Sequence, residues 1–228
     1  LISCGACFTS HEDDELILLT AQALEEGKAV GWHQGRMEFG PRSLGARSII
    51  ADPRSSSVQK MLNLKVKYRE SFRPFAPSVL REDVAEWFDL DADSPYMLLV
   101  ASLNPSKCLP ENTADKNLFG IDKLNVPRST IPAVTHVDYS ARVQTVHKET
   151  NKKYFDLLNL FKSMTGCPVL VNTSFNVRGE PIVCTPEDAF RCLMGTEIEF
   201  LVIGNSIMKK EEQNIELKLN YKNEYELD

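Results

Sequence analysis

The sequence predicts a mixed α/β (α+β) domain, a twisted mixed sheet flanked by helices. Three observations carry that expectation. Segments of helical period and segments of strand character interleave along the chain, as in folds where helices cover a sheet. The apolar runs Val30-Gly-Trp32, Val169-Leu-Val171 and Phe200–Ile203 are short and continuous, the pattern of buried strands. Helix-start and helix-stop residues fall at the ends of the periodic segments.

Taken in order, Ser10 followed by Asp13 marks a helix start with an acidic first turn, and Leu16, Leu19 and Ala23 then recur at helical spacing before Gly27. A strand follows at 30–32. Residues 35–45, rich in Gly, Pro and Arg, form a loop, and 47–51 a strand ended by Asp52-Pro53. Residues 56–65 fit a helix with Val58, Met61 and Leu62 inward. Pro74 and Pro77 limit any strand in 72–80 to a short or edge one. A short helix at 82–88 presents Val84, Trp87 and Phe88. Residues 97–100 suit a buried strand, and 102–132 a long excursion serving as a flap. Two strands are expected at 134–137 and 142–146 around a turn. The clearest helix is 151–162, where Tyr154, Leu157, Leu158 and Phe161 share one face and Gly166 follows. Thr185-Pro-Glu-Asp188 combines a cap, a first-position proline and first-turn acids. The alternation of Ile215, Leu217, Leu219 and Tyr221 suggests an edge strand or a docking segment.

Composition narrows the function classes. A chain of 228 residues with 43% hydrophobic residues builds a core of about one domain. No apolar run approaches the roughly 20 residues that cross a bilayer, and no secretory leader pattern opens the sequence. The six cysteines lack the dense spacing of a disulfide scaffold and read as reduced cytoplasmic thiols. Cys4-Gly-Ala-Cys7 is half of a zinc pattern with no second half, so no metal site is expected. The net charge of −6 disfavours nucleic acid as a partner. Lys and Arg nevertheless concentrate between Arg36 and Arg73, which points to a small anionic ligand such as a phosphate compound.

Three constellations carry chemistry. In 33–48, Arg36, Arg42 and Arg47 alternate with glycines. Guanidinium groups clamp phosphate bidentately, and glycines let the backbone approach it. The spacing matches neither the Walker loop nor the dinucleotide fingerprint, and a solvated basic loop is the plain alternative. In 65–77, Lys65, Lys67, Arg69 and Arg73 would share one face of a strand, with Arg73 partly buried between phenylalanines and in need of an anion. A charged edge strand is the alternative there. Third, Asn172, Ser174 and Asn176 follow a buried strand, where amide and hydroxyl groups can bond phosphate, ribose or a carbamoyl NH₂; an Asn/Ser turn is the alternative. Arg142 stands alone after a turn. His33 and His136 receive no role.

Together the strings Gln34 to Arg54, Asn63 to Pro77, Thr135-His-Val-Asp138 with Ala141 to Val146, and Thr165 to Asn176 through Thr185-Pro-Glu-Asp-Ala189 resemble the C-terminal region of the NodU/CmcH O-carbamoyltransferases, over about residues 28–208. The resemblance implies a YrdC-like domain at 28–210 that binds ATP and carbamoyl phosphate and makes carbamoyl-adenylate, with Mg²⁺ on the polyphosphate. Residues 1–27 would join it to an N-terminal actin-like domain that passes the carbamoyl group to a hydroxyl, and 211–228 would be a polar tail or edge strand. By motif position, Arg42 and Arg47 would hold phosphates. Lys67 and Arg73 would bind carbamoyl phosphate and the ATP phosphates. Arg142, Asn172 and Ser174 would complete the nucleotide site, with Arg36, Arg69 and Asn176 in support. Lys67, Arg73 and Arg47 are the expected catalytic set. The sequence departs from the family at Asp138-Tyr139-Ser140, where Asp-Gly-Thr is common, so the turn beside Arg142 carries a bulky residue. Two other readings remain open: a nucleotide-binding module without catalysis, and a threonylcarbamoyl-adenylate synthase of tRNA modification.

Overall fold

The computed structural model describes residues 1–110, 118–124, 126–219 and 221. Its strands are β1 (Thr9–Ser10), β2 (Val30–His33), β3 (Arg47–Ala51), β4 (Ala76–Leu80), β5 (Leu99–Ser102), β6 (Ser140–Val146), β7 (Val169–Ser174), β8 (Phe200–Ile203) and β9 (Ser206–Lys209). Its α-helices are α1 (Asp13–Glu25), α2 (Ser56–Lys65), α3 (Val84–Trp87), α4 (Ile121–Leu124), α5 (Lys152–Thr165) and α6 (Pro186–Gly195). The strands form one sheet in the order β1-β9-β8-β2-β3-β7-β4-β6-β5. Pairs β2·β8 and β4·β6 are parallel and the others antiparallel, so the expected mixed sheet flanked by helices is present.

Local chemistry sets the helix ends. Asn151 caps α5 by accepting from Tyr154 N, and Gly166 ends it at φ 74°, a left-handed conformation that glycine adopts without penalty. Thr185 and Asp188 close a reciprocal capping box on α6. Helix α1 packs on α5, α5 lies against β4 and β7, and α6 lies against β2 and β8. Trp32, Tyr154, Phe88, Phe161 and Phe175 are the largest fully buried side chains of this core. Residues 1–27 supply β1 and α1, and Leu16 and Leu24 of α1 are buried in the same core.

Several expectations give way to the structure. Ser10 does not cap α1; it pairs with Ser206 in β1, and Glu12 precedes the helix. Strand β4 is short as its prolines require, yet it is interior rather than at an edge. Its parallel pairing with β6 begins only at Ser78, so Pro77 takes no place in that ladder. The strand expected at 97–100 begins at Leu99 and is the sheet's outer edge, leaving Leu98, Leu99 and Val100 exposed. Residues 132–134 form a 3₁₀ turn rather than part of a strand, because Pro132 starts a helical turn closed by Thr135 N. Ile215–Leu217 is likewise 3₁₀, capped by Asn214, and forms no edge strand; the rest of that alternation after Leu219 lies outside the described residues except for buried Tyr221. The expected flap includes residues 111–117 and 125, which also lie outside them.

Candidate functional site

The cleft opens where β4 and β6 begin and β7 ends. One lobe, a cavity of about 580 Å³, is lined by Arg42, Ser43, Arg69, Arg73, Met97, Val100, His136, Ser140, Arg142, Asn172, Thr173 and Ser174 among others. A second lobe of about 640 Å³ adds Lys67, Glu70, Asn176, Arg178 and Glu180, and it shares Arg69, Arg73, Thr173 and Ser174 with the first. The two form one continuous cleft.

The loop 35–45 is pinned before it reaches the cleft. The Glu38 carboxylate accepts from the backbone N–H of Leu44 at 2.6 Å and of Ala46 at 2.7 Å. Arg47 is buried and donates to the carbonyls of Gln34, Gly35, Ala46 and Cys184 at 3.0–3.1 Å. Gly45 passes so close to Tyr154 that an added Cβ would lie 2.5 Å from the ring. So held, the loop turns Pro41, Arg42 and Ser43 into the cleft.

Residues 66–75 are irregular, not the strand that would align four cations. Asn63 organises them: its amide donates to the carbonyls of Ser71 and Arg73, and its oxygen accepts from Arg69 Nε at 2.6 Å. Arg69 also lies over the Phe75 ring, 4.9 Å from its centre. Burial and neighbouring Arg73 bring the Arg69 guanidinium down to about 10. Arg73 itself is exposed rather than partly buried, and Lys65 ends α2 in solvent. Lys67 is buried, and its ammonium donates to Ser174 O at 2.6 Å, Asn176 O at 2.9 Å and Asn176 Oδ1 at 2.8 Å. Burial pushes this amine down to about 7.

Arg142 on β6 faces the first lobe. Its guanidinium is held below the usual range, by burial first and then by the neighbouring Arg42 charge. Among the described residues no carboxylate lines this lobe, and Arg42, Arg69, Arg73 and Arg142 have no ion pair. Four buried side-chain polar atoms lack a hydrogen-bond partner among the described residues. Three of them, Ser43 Oγ, Arg142 Nε and Asn172 Oδ1, belong to residues lining this one lobe. Buried polar groups ordinarily find partners. The four unpaired cations and the unmet Arg142 Nε suit an anion, and Asn172 Oδ1 suits a donor.

The structure thus gathers Arg42, Lys67, Arg69, Arg73, Arg142, Asn172, Ser174 and Asn176 in one cleft. Arg36 and Arg47 line neither lobe. Arg36 is exposed, and the Arg47 guanidinium, expected in the catalytic set, donates to backbone carbonyls and holds the loop. Sequence reasoning passed over Ser43, Thr173, Glu38 and Gln144, and left His136, which lines the cleft, without a role. His33 stands outside it. Its Nε2 faces Cys184 O at 3.2 Å, and burial, then Arg47, lowers its basicity. Tyr139 adopts φ 62°, a left-handed conformation that favours glycine, while Asp138 Oδ1 accepts from Ser140 N and Oγ to close the turn. Among the described residues no three His, Cys, Asp or Glu side chains gather as a metal site, and no helix is long and apolar enough to cross a membrane.

Comparison with known proteins shows the family and the fold. A family model described as carbamoyltransferase C-terminus matches residues 21–210. An uncharacterised protein of Synechocystis is 57% identical over 98% of this chain and 36% of its own length. A 3′-hydroxymethylcephem-O-carbamoyltransferase of Streptomyces clavuligerus is 36% identical over 82% of this chain and 31% of its own length. The chain therefore spans about a third of these relatives. The crystal structure of P. abyssi Sua5 complexed with L-threonine shares the fold at TM-score 0.53, with 15% identity over 86% of this chain and 48% of that one.

Proposed function

The chain belongs to the carbamoyltransferase C-terminal family, and from that premise we propose that its cleft binds ATP and carbamoyl phosphate and forms carbamoyl-adenylate with release of pyrophosphate. The observation that carries this reading is the first lobe, where among the described residues four arginines have no ion pair, no carboxylate joins the lining and three buried polar atoms are unmet. A polyphosphate supplies the negative charge and the acceptors that the arginines and Ser43 Oγ lack, whereas Asn172 Oδ1, itself an acceptor, needs a donor from elsewhere on the ligand.

In the proposed reaction, water cleaves carbamoyl phosphate, giving carbamate and inorganic phosphate, and a carbamate oxygen then attacks the α-phosphorus. The bond from that phosphorus to the bridging oxygen breaks, and pyrophosphate departs. Charge develops on the phosphoryl oxygens and on the leaving group. Arg42 and Arg142 line the first lobe, Arg69 and Arg73 line both lobes, and Lys67 lines the second. Fixed cations stabilise such charge without reorganising. Mg²⁺ would ride on the polyphosphate and neutralise part of it.

Transfer of the carbamoyl group to a hydroxyl acceptor would fall to the part of the longer relatives that this chain does not span, with residues 28–210 as the adenylate-forming unit. The free cysteines suit the reducing cytoplasm.

Incubation of the chain with ATP and carbamoyl phosphate should release pyrophosphate and yield carbamoyl-adenylate by mass spectrometry. ATP binding without turnover would instead favour the module without catalysis. Turnover only with threonine and bicarbonate would favour the threonylcarbamoyl-adenylate reading.

A further inference from the structure

The amide of Asn172 has a fixed orientation. At one end of its network Gln144 Nε2 donates to Leu44 O at 2.9 Å; at the other, Asn172 Nδ2 donates to Ser43 O at 3.1 Å. Backbone carbonyls only accept, so both amide nitrogens must face them. Gln144 Oε1 is then the acceptor for Asn172 Nδ2 at 2.7 Å and for Ser78 Oγ at 2.6 Å. Both hydrogens of the Asn172 amide are consumed. Its oxygen is left buried and unpartnered among the described residues, in a residue that is 1% exposed and lines the arginine lobe. Phosphate oxygens cannot satisfy an acceptor, so the anion that suits the arginines leaves this atom unmet.

We propose that Asn172 Oδ1 accepts a hydrogen bond from a neutral N–H or O–H group of the bound ligand, and that Gln144 is the positioning residue that aims it. The lobe thereby distinguishes ligands that carry this donor from isosteres that lack it. The inference rests on the functional reading above, which offers two sources of the donor: the carbamoyl NH₂, or the hydroxyl and amino groups of the nucleotide. Asn172 sits where β3, β7 and β4 meet, paired with Ile50 and Ala76, so it does not turn away when a donor is missing. Leaving a buried acceptor unsatisfied costs about 1–3 kcal/mol, roughly a 5- to 150-fold loss of affinity.

The test is calorimetric titration of the 228-residue chain with paired ligands: ATP against its 2′-deoxy, 3′-deoxy and N6,N6-dimethyl analogues, and carbamoyl phosphate against acetyl phosphate. One pair should differ by roughly 5- to 150-fold and so name the donor. In Asn172→Leu that ratio should fall to near one, and in Gln144→Met it should shrink. A purely structural defect lowers both members of a pair together and leaves their ratio unchanged. Equal affinities within every wild-type pair would overturn the inference, as would a ratio that survives Asn172→Leu, while leaving nucleotide binding intact. Failure of every ligand to bind would overturn the functional reading and the inference with it.

Discussion

The two lobes of the cleft treat their polar groups in opposite ways. In the second lobe Lys67, Ser174 and Asn176 satisfy one another: the ammonium has four oxygens within 3.2 Å, and Ser174 Oγ donates to Asn176 Oδ1. In the first, Arg42 and Arg142 face each other's charge, and Ser43, Arg142 and Asn172 keep unmet atoms. The contrast teaches that a basic residue announces a ligand only when its own chain has not already supplied its partners. Arg47 makes the same point within one residue type, since it is more buried than Arg142 and yet fully engaged.

The sharpest way to break this contrast is Arg142→Met. It should weaken ATP about 100-fold, the loss expected on removing a charge-assisted contact, while leaving the melting temperature equal or higher because a half-buried, repelled cation is gone. Reduced stability with unchanged affinity would show the contrast to be mistaken. Arg47→Met should behave in the reverse order. Four carbonyls lose their donor, so a loss of stability on the order of 2 kcal/mol should appear as a lower denaturation midpoint. Affinity should fall only as far as the loop carrying Arg42 and Ser43 loosens.

A third test concerns the self-satisfied lobe. The unliganded Lys67 amine sits at about 7, and a nearby polyphosphate favours its protonated form and raises that value. ATP affinity should therefore be fullest below pH 7 and decline as pH rises toward the liganded value, by up to about tenfold per unit. In Lys67→Arg the profile should be flat over that range. Without ligand the sign reverses. An unfolded lysine keeps its proton up to its ordinary 10.5, so between 7 and 10.5 the unfolded chain binds more protons and stability rises with pH. The smallest effect is expected at Tyr139→Gly. It removes a side chain from a left-handed turn and should change stability by no more than about 1 kcal/mol, read as a shift in melting temperature.

The parts of the fold legible in sequence are those set by local chemistry. The helix 151–162 announced itself by period and cap, and α6 by its Thr185 box. Strand positions depended on partners elsewhere in the chain and were less legible. Strand β4 carries a proline that suggests an edge but is paired on both sides, and 97–100 looks like a core strand but becomes the edge. The β8–β9 hairpin had a readable signal in Gly204-Asn205 that was overlooked; Gly204 takes φ 57° there. In the site, cation type and clustering marked Arg42, Arg69 and Arg73, whereas Arg142 stood alone and was reached only through the family resemblance. Nothing local distinguished Arg47 from Arg42, because the carbonyls that occupy Arg47 come from Gln34, Gly35, Ala46 and Cys184, the last of them 137 residues away. Gln144 was illegible for the same reason: its partners Leu44, Ser78 and Asn172 meet only in the folded sheet.

A crystal structure of the chain with a non-hydrolysable ATP analogue tests the polyphosphate grip most directly. Phosphate oxygens should lie within hydrogen-bonding distance of Arg142 Nε and of the Arg42 guanidinium. A nucleotide bound elsewhere, with both arginines still facing solvent, would contradict the account.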